Sequence, residues 1–128
     1  MIVDTSAIVS ILFGEHEAER FDEAIVNAPR CLMSVVSFLE TAMVLEGRQG
    51  DAAGDELDAF LEAATIELAP VTVDQAQIAR LAWRRFGKGN HPAGLNFGDC
   101  FAYALAESTG EPLLFKGGDF ALTDIEAA

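Results

Sequence analysis

The sequence predicts an α/β domain built on a central, mostly parallel sheet of four to five strands flanked by helices. Short apolar runs alternate along the chain with segments of helical periodicity, the order that yields parallel strands joined by crossover helices. The 128 residues suit one domain and are enough to bury a core. Half of them, 51%, are hydrophobic, which excludes a disordered chain, and no repeat, linker or low-complexity tract divides the sequence.

Taken in order, Met1–Val3 is the first strand, and Asp4 ends it. Helices follow over Ala7–Phe13 and Glu17–Val26, with a break near Gly14. Cys31–Val35 is the second strand and Ser37–Glu46 the helix behind it. Leu57, Phe60, Leu61 and Ala64 recur at i, i+3, i+4 and i+7, an apolar stripe that makes Asp51–Ala64 an amphipathic helix. The third strand is expected at Thr65–Leu68. In the next helix, Val73–Phe86, the same spacing turns Ala79, Ala82, Trp83 and Phe86 inward and sets Arg80, Arg84 and Lys88 on the other face. Glycines and a proline make a loop of Gly87–Gly94. A helix over Gly98–Thr109 turns Phe101, Ala104 and Leu105 inward, Pro112–Phe115 is a strand, and a glycine turn leads to a short last strand.

Composition narrows the chemistry. No apolar run approaches the roughly 18 residues that span a membrane. The N-terminus lacks a signal peptide's basic segment, so a soluble, cytoplasmic protein is expected. The two cysteines, Cys31 and Cys100, form no Cys-x-x-Cys pair, and His16 and His91 stand alone. That pattern disfavours zinc and leaves oxygen ligands, hence magnesium or manganese. The formal charge is −13, with 21 acids against 8 bases, which argues against a general nucleic-acid binder. Yet Arg80, Arg84, Arg85 and Lys88 form a local basic ridge just before the glycine loop, which points to substrate contact.

Four acids recur at strand-to-helix junctions: Asp4, Glu40, Asp99 and Asp119. The C-terminal edge of an open α/β sheet is where ligands bind, and carboxylates gathered there need protons or a divalent cation. Each acid also has a plain structural role open to it. Asp4 is a good N-cap, Ser37-x-x-Glu40 fits a capping box, Asp99 suits a helix N-terminus, and Asp119 suits a Gly-Gly-Asp turn. Capping alone does not explain why all four fall at junctions of one small domain. Asp124 is as well explained by a turn.

Met-Ile-Val-Asp-Thr-Ser-Ala at 1–7, Glu40, Phe-Gly-Lys-Gly-x-His at 86–91, Leu-Asn-Phe-Gly-Asp-Cys at 95–100 and Leu-Leu-Phe-Lys-Gly-x-Asp-Phe at 113–120 resemble the PIN-domain ribonucleases of the VapC type. These are the toxin halves of type II toxin–antitoxin pairs, and the resemblance covers the whole chain, 1–128, as a single domain. It implies a magnesium or manganese site formed by Asp4, Glu40, Asp99 and Asp119, with Thr5 and Ser6 orienting Asp4 or a bound water. Relatives often carry a further acid or polar residue where this chain has Gly118, so one or two metals remain open. The chemistry implied is hydrolysis of RNA phosphodiester bonds, in single-stranded loops, with Arg80, Arg84, Arg85, Lys88 and Lys116 guiding the backbone. A VapB-like antitoxin and a homodimer are the implied partners. Two alternatives are a non-catalytic interaction module of the same fold and an RNA-processing nuclease without a toxin role. A phosphatase of the haloacid-dehalogenase type is disfavoured, because Asp4-Thr5-Ser6 lacks the second acid of Asp-x-Asp.

Overall fold

In a computed structural model that describes residues 1–128, four parallel strands lie in the order β3-β2-β1-β4. Along the chain the elements are β1 (Ile2–Val3), α1 (Thr5–Leu12), α2 (Ala18–Asn27), β2 (Cys31–Ser34), α3 (Val35–Gln49) and α4 (Asp51–Ala63). They continue as β3 (Ile66–Ala69), α5 (Val73–Phe86), α6 (Phe97–Thr109) and β4 (Leu113–Leu114). Ile2 pairs with Leu32 on one side and Leu113 on the other, and Cys31 to Ser34 pair in step with Ile66 to Ala69.

The two-residue strands β1 and β4 hold because both of their faces are buried, as is usual in parallel sheets, whereas the edge strand β3 exposes Glu67 and Leu68. Side chains alternate across a strand, so neighbours enter opposite layers. Ile2 and Leu113 join Ala79, Ala82 and Phe86 of α5 and Ala102 to Ala106 of α6 in one core layer. Val3 and Leu114 join Phe21, Ile25, Leu45, Leu57 and Leu61 from α2, α3 and α4 in the other. Cys31 and Cys100 are free thiols, both buried. No helix is long and apolar enough to cross a membrane.

Four local expectations change. The helix after β2 starts at Val35, capped by Ser34, whose hydroxyl accepts from the Val36 amide at 3.3 Å. Ser37 and Glu40 therefore lie within the helix and form no capping box, and Ser37 is fully buried. The third strand begins at Ile66, because Thr65 takes a left-handed φ of 55° that turns the chain. Trp83 is not core: it is 49% exposed, while Ala79, Ala82 and Phe86 of the same helix are buried. The tail makes a 3₁₀ turn at Phe120–Leu122 and a single parallel bridge from Ala127 to Leu113 in place of a strand. Asp124 anchors that tail, accepting from the Tyr103 hydroxyl at 2.6 Å and from Arg85 at 3.1 Å.

Candidate active site

Asp4 follows β1 directly and caps α1. Its Oδ2 accepts from the Ser6 amide at 3.0 Å and from the Ser6 hydroxyl at 2.6 Å. The amide of Lys116, just past β4, donates to that Ser6 hydroxyl at 2.9 Å, so the ends of two adjacent strands share one bracket. Asp4 is 3% exposed, yet its Oδ1 has no hydrogen-bond partner. An unpaired buried carboxylate oxygen is costly, and a bound cation is one partner that would offset that cost.

Thr5 serves a different neighbour. Its hydroxyl donates at 3.1 Å to the carbonyl of Ser37, which Thr41 also engages at 2.7 Å. This ties α1 to α3, the helix that carries Glu40, and α3 packs in turn on α6. Glu40 reaches α6 at Gly98. A Cβ on Gly98 would lie 2.7 Å from Glu40 Cδ and 2.8 Å from its Oε1. Only glycine leaves the Glu40 carboxylate its seat.

Asp99 is the third residue of α6 and completes a reciprocal cap with Asn96. The Asp99 amide donates to Asn96 Oδ1 at 2.9 Å, and the Asn96 amide donates to Asp99 Oδ2 at 3.0 Å. Even so, burial raises the Asp99 carboxyl to about 7, helped by the charges of Asp4, Glu40 and Asp119 and opposed by the Asn96 amide. Burial likewise raises Asp4, against the two Ser6 hydrogen bonds and together with the Glu40 charge. Asp119 is exposed, at the start of the 3₁₀ turn, with no side-chain cap of its own.

Asp4, Glu40 and Asp99 thus sit within electrostatic reach of one another, with Asp119 felt by Asp99 from the rim. No three of these acids close around one point at ligand distances. The donor set still fits a hard divalent cation: it is all carboxylate, mutually repelling, and includes the unengaged Asp4 Oδ1. Sulfur and imidazole ligands are absent, which fits magnesium or manganese.

The bases divide. Arg80 and Lys88 border a groove beside Asn96 and Phe97, and Arg84 is exposed on α5. Arg85 is instead held by Asp124 at 3.1 Å, and Lys116 Nζ by Glu15 at 3.2 Å. Asn96, Phe97 and Gly98 stand in the Leu-Asn-Phe-Gly-Asp-Cys motif, but the sequence assigns them no roles of their own. Asn96-x-x-Asp99 is a capping-box spacing with Asp in place of Glu, a signal that the sequence carries for Asn96.

A pH dependence follows for the metal-free protein. The folded Asp99 carboxyl, at about 7, binds its proton more tightly than the unfolded one at 3.8. Its contribution to stability is therefore full below the unfolded value and is lost as pH rises through the folded one. In EDTA, the melting temperature should fall between pH 5 and pH 8. Manganese should restore more at pH 8 than at pH 5, and equal shifts at both would uncouple the ion from these acids.

A family model described as the PIN domain matches residues 1–126. A VapC ribonuclease of Mycolicibacterium smegmatis is 54% identical over 127 residues, 99% of this chain and 98% of that one. Ribonuclease VapC30 of Mycobacterium tuberculosis is 54% identical over 125 residues, 98% of this chain and 95% of that one. Among solved structures, VapC20 of Mycobacterium tuberculosis, a sarcin-ricin loop cleaving toxin, aligns with a TM-score of 0.79 at 20% identity, covering 99% and 97% of the two chains. A chain of a toxin–antitoxin complex from Klebsiella pneumoniae aligns with a TM-score of 0.73 at 19% identity, covering 96% and 92%. Those two bear on the fold alone. By the domain match across nearly its whole length and by its similarity to these relatives, the chain belongs to the PIN-domain family, among the VapC ribonucleases.

Proposed function

We propose that the chain is a magnesium- or manganese-dependent endoribonuclease, the toxin of a type II toxin–antitoxin pair, restrained by a VapB-like antitoxin. One observation carries this most directly. Carboxylates from β1, α3 and α6 repel one another at the sheet's C-terminal edge, where the buried Asp4 oxygen has no partner. Asp4, Glu40 and Asp99 would hold the ion, with Asp119 at the rim. Bound there, a divalent ion supplies Lewis-acid chemistry, lowering the pKa of a water and offsetting charge on the phosphoryl oxygens.

The chain's own residues fix the acids. Ser6 engages one oxygen of Asp4 and leaves the other free, the Asn96 amide holds Asp99, and Gly98 seats Glu40. Single-stranded loops suit an open edge that must admit a scissile phosphate from solvent. A −13 chain suits a basic antitoxin segment, and Leu39 and Met43 beside Glu40 are 59% and 66% exposed, offering it apolar anchors. Paired copies, as the family implies, would use similar surface.

The test is cleavage of total RNA by the purified protein. Discrete fragments are expected with manganese or magnesium and none with EDTA. Cleavage that persists in EDTA would remove the metal from this account, and no cleavage with any divalent ion would remove the nuclease.

A further inference from the structure

We propose that the groove between α5 and the start of α6 is a stacking site for a nucleobase of single-stranded RNA, with Arg80 and Lys88 holding the adjoining phosphates. It deepens the ribonuclease function proposed above and rests on it.

Three observations converge on this groove. The first is that its aromatic walls are exposed but held. Trp83 is 49% exposed, yet its indole is held close against Gly87, where a Cβ would come within 2.9 Å of Nε1. Its carbonyl accepts from Asn90 Nδ2 at 3.0 Å, which fixes the turn beneath it. Across the groove Phe97 is 76% exposed and braced edge-on by Phe101, ring centres 5.0 Å apart. The space between holds about 580 Å³, enough for a base.

The second is charge. Of the eight bases, Arg30, Arg85 and Lys116 are in ion pairs, and Arg20 and Arg48 lie over phenylalanine rings. Arg80, Arg84 and Lys88 have neither, and Arg80 and Lys88 border this groove. On a chain of −13, the cations left uncommitted stand beside the exposed aromatic rings. That combination matches a polyanion carrying flat bases and repels a basic protein segment. The third is continuity. Phe97 is also a wall of the neighbouring pocket that contains Glu40, so one strand can cross both.

Trp83 is the chain's single tryptophan, so its fluorescence reports on this groove alone. Asp99→Asn protein is titrated with a short oligouridylate in magnesium buffer. Saturable quenching that weakens with salt is expected. Anisotropy of the labelled oligomer should show about tenfold weaker binding for Trp83→Leu and, separately, for Arg80→Ala with Lys88→Ala. The two variants are independent, so misfolding of one leaves the other as the test. If the unmodified protein cleaves RNA but fluorescence and affinity do not respond, the stacking site is overturned while the nuclease stands. If quenching occurs and no RNA is cut, the groove binds RNA and the nuclease falls. Fluorescence that follows protein concentration instead of RNA, with dimers broken by Trp83→Leu, would assign the groove to a second copy of the chain and overturn the proposal.

Discussion

Replacing Asp99 with Asn is expected to lower RNA cleavage by about 10²- to 10³-fold, as loss of one preorganised electrostatic group at a reacting centre does. The change is close to isosteric. An Asn side-chain oxygen can still accept from the Asn96 amide, so the cap of α6 survives. What disappears is a charge whose carboxyl burial and the neighbouring Asp4, Glu40 and Asp119 hold at about 7. Without metal, that charge opposes folding at pH 8. The metal-free variant should therefore melt above the unmodified protein at pH 8 and by a smaller margin at pH 5, where the folded Asp99 is protonated but the unfolded one is ionised. Higher stability with lost activity marks a residue retained for function at a cost to the fold. Circular dichroism melts beside a cleavage assay read both. A variant that melts lower at pH 8 and is inactive would make Asp99 structural, and full turnover would remove it from the site.

Much of this arrangement is legible in the sequence, because the signals involved are local. Apolar runs alternating with helical spacing give the parallel sheet, and a carboxylate straight after Met1-Ile2-Val3 falls at its C-terminal edge by topology alone. What escapes depends on contacts between distant parts of the chain. Trp83 has the spacing of the apolar stripe but lies at its edge, where the bare backbone of Gly87 lets the indole rest outside the core. Ser37-x-x-Glu40 has the letters of a capping box, but Ser34 starts the helix one turn earlier. Arg85 and Lys116 look like free cations until the fold brings Asp124 and Glu15 to them. Gly98 is the strongest case. Nothing in Asn-Phe-Gly-Asp tells that a glutamate from another helix rests on that glycine.

That contact gives the sharpest test of how the site is held. Gly98→Ala is expected to cost about 10- to 100-fold in activity or metal affinity, the range for removing a support behind a metal ligand. Stability should change little. The atoms that the new Cβ meets are the tip of the Glu40 side chain, which can swing aside, and Ala is the better helix former by about 1 kcal/mol. The penalty therefore falls on the position of a carboxylate and spares the packing of α6. Gly54→Ala is the matched control. Its Cβ would meet the Glu46 side chain at 2.8 Å in the same way, on helices α3 and α4, with no candidate ligand involved. Manganese affinity by calorimetry and melting temperature should separate the two, with Gly98→Ala weakening metal binding and Gly54→Ala leaving it unchanged. Equal behaviour of both would mean that Glu40 needs no seat on Gly98. A large drop in melting temperature for Gly98→Ala alone would mean that the glycine serves the packing of α3 on α6, leaving Glu40 without an assigned role.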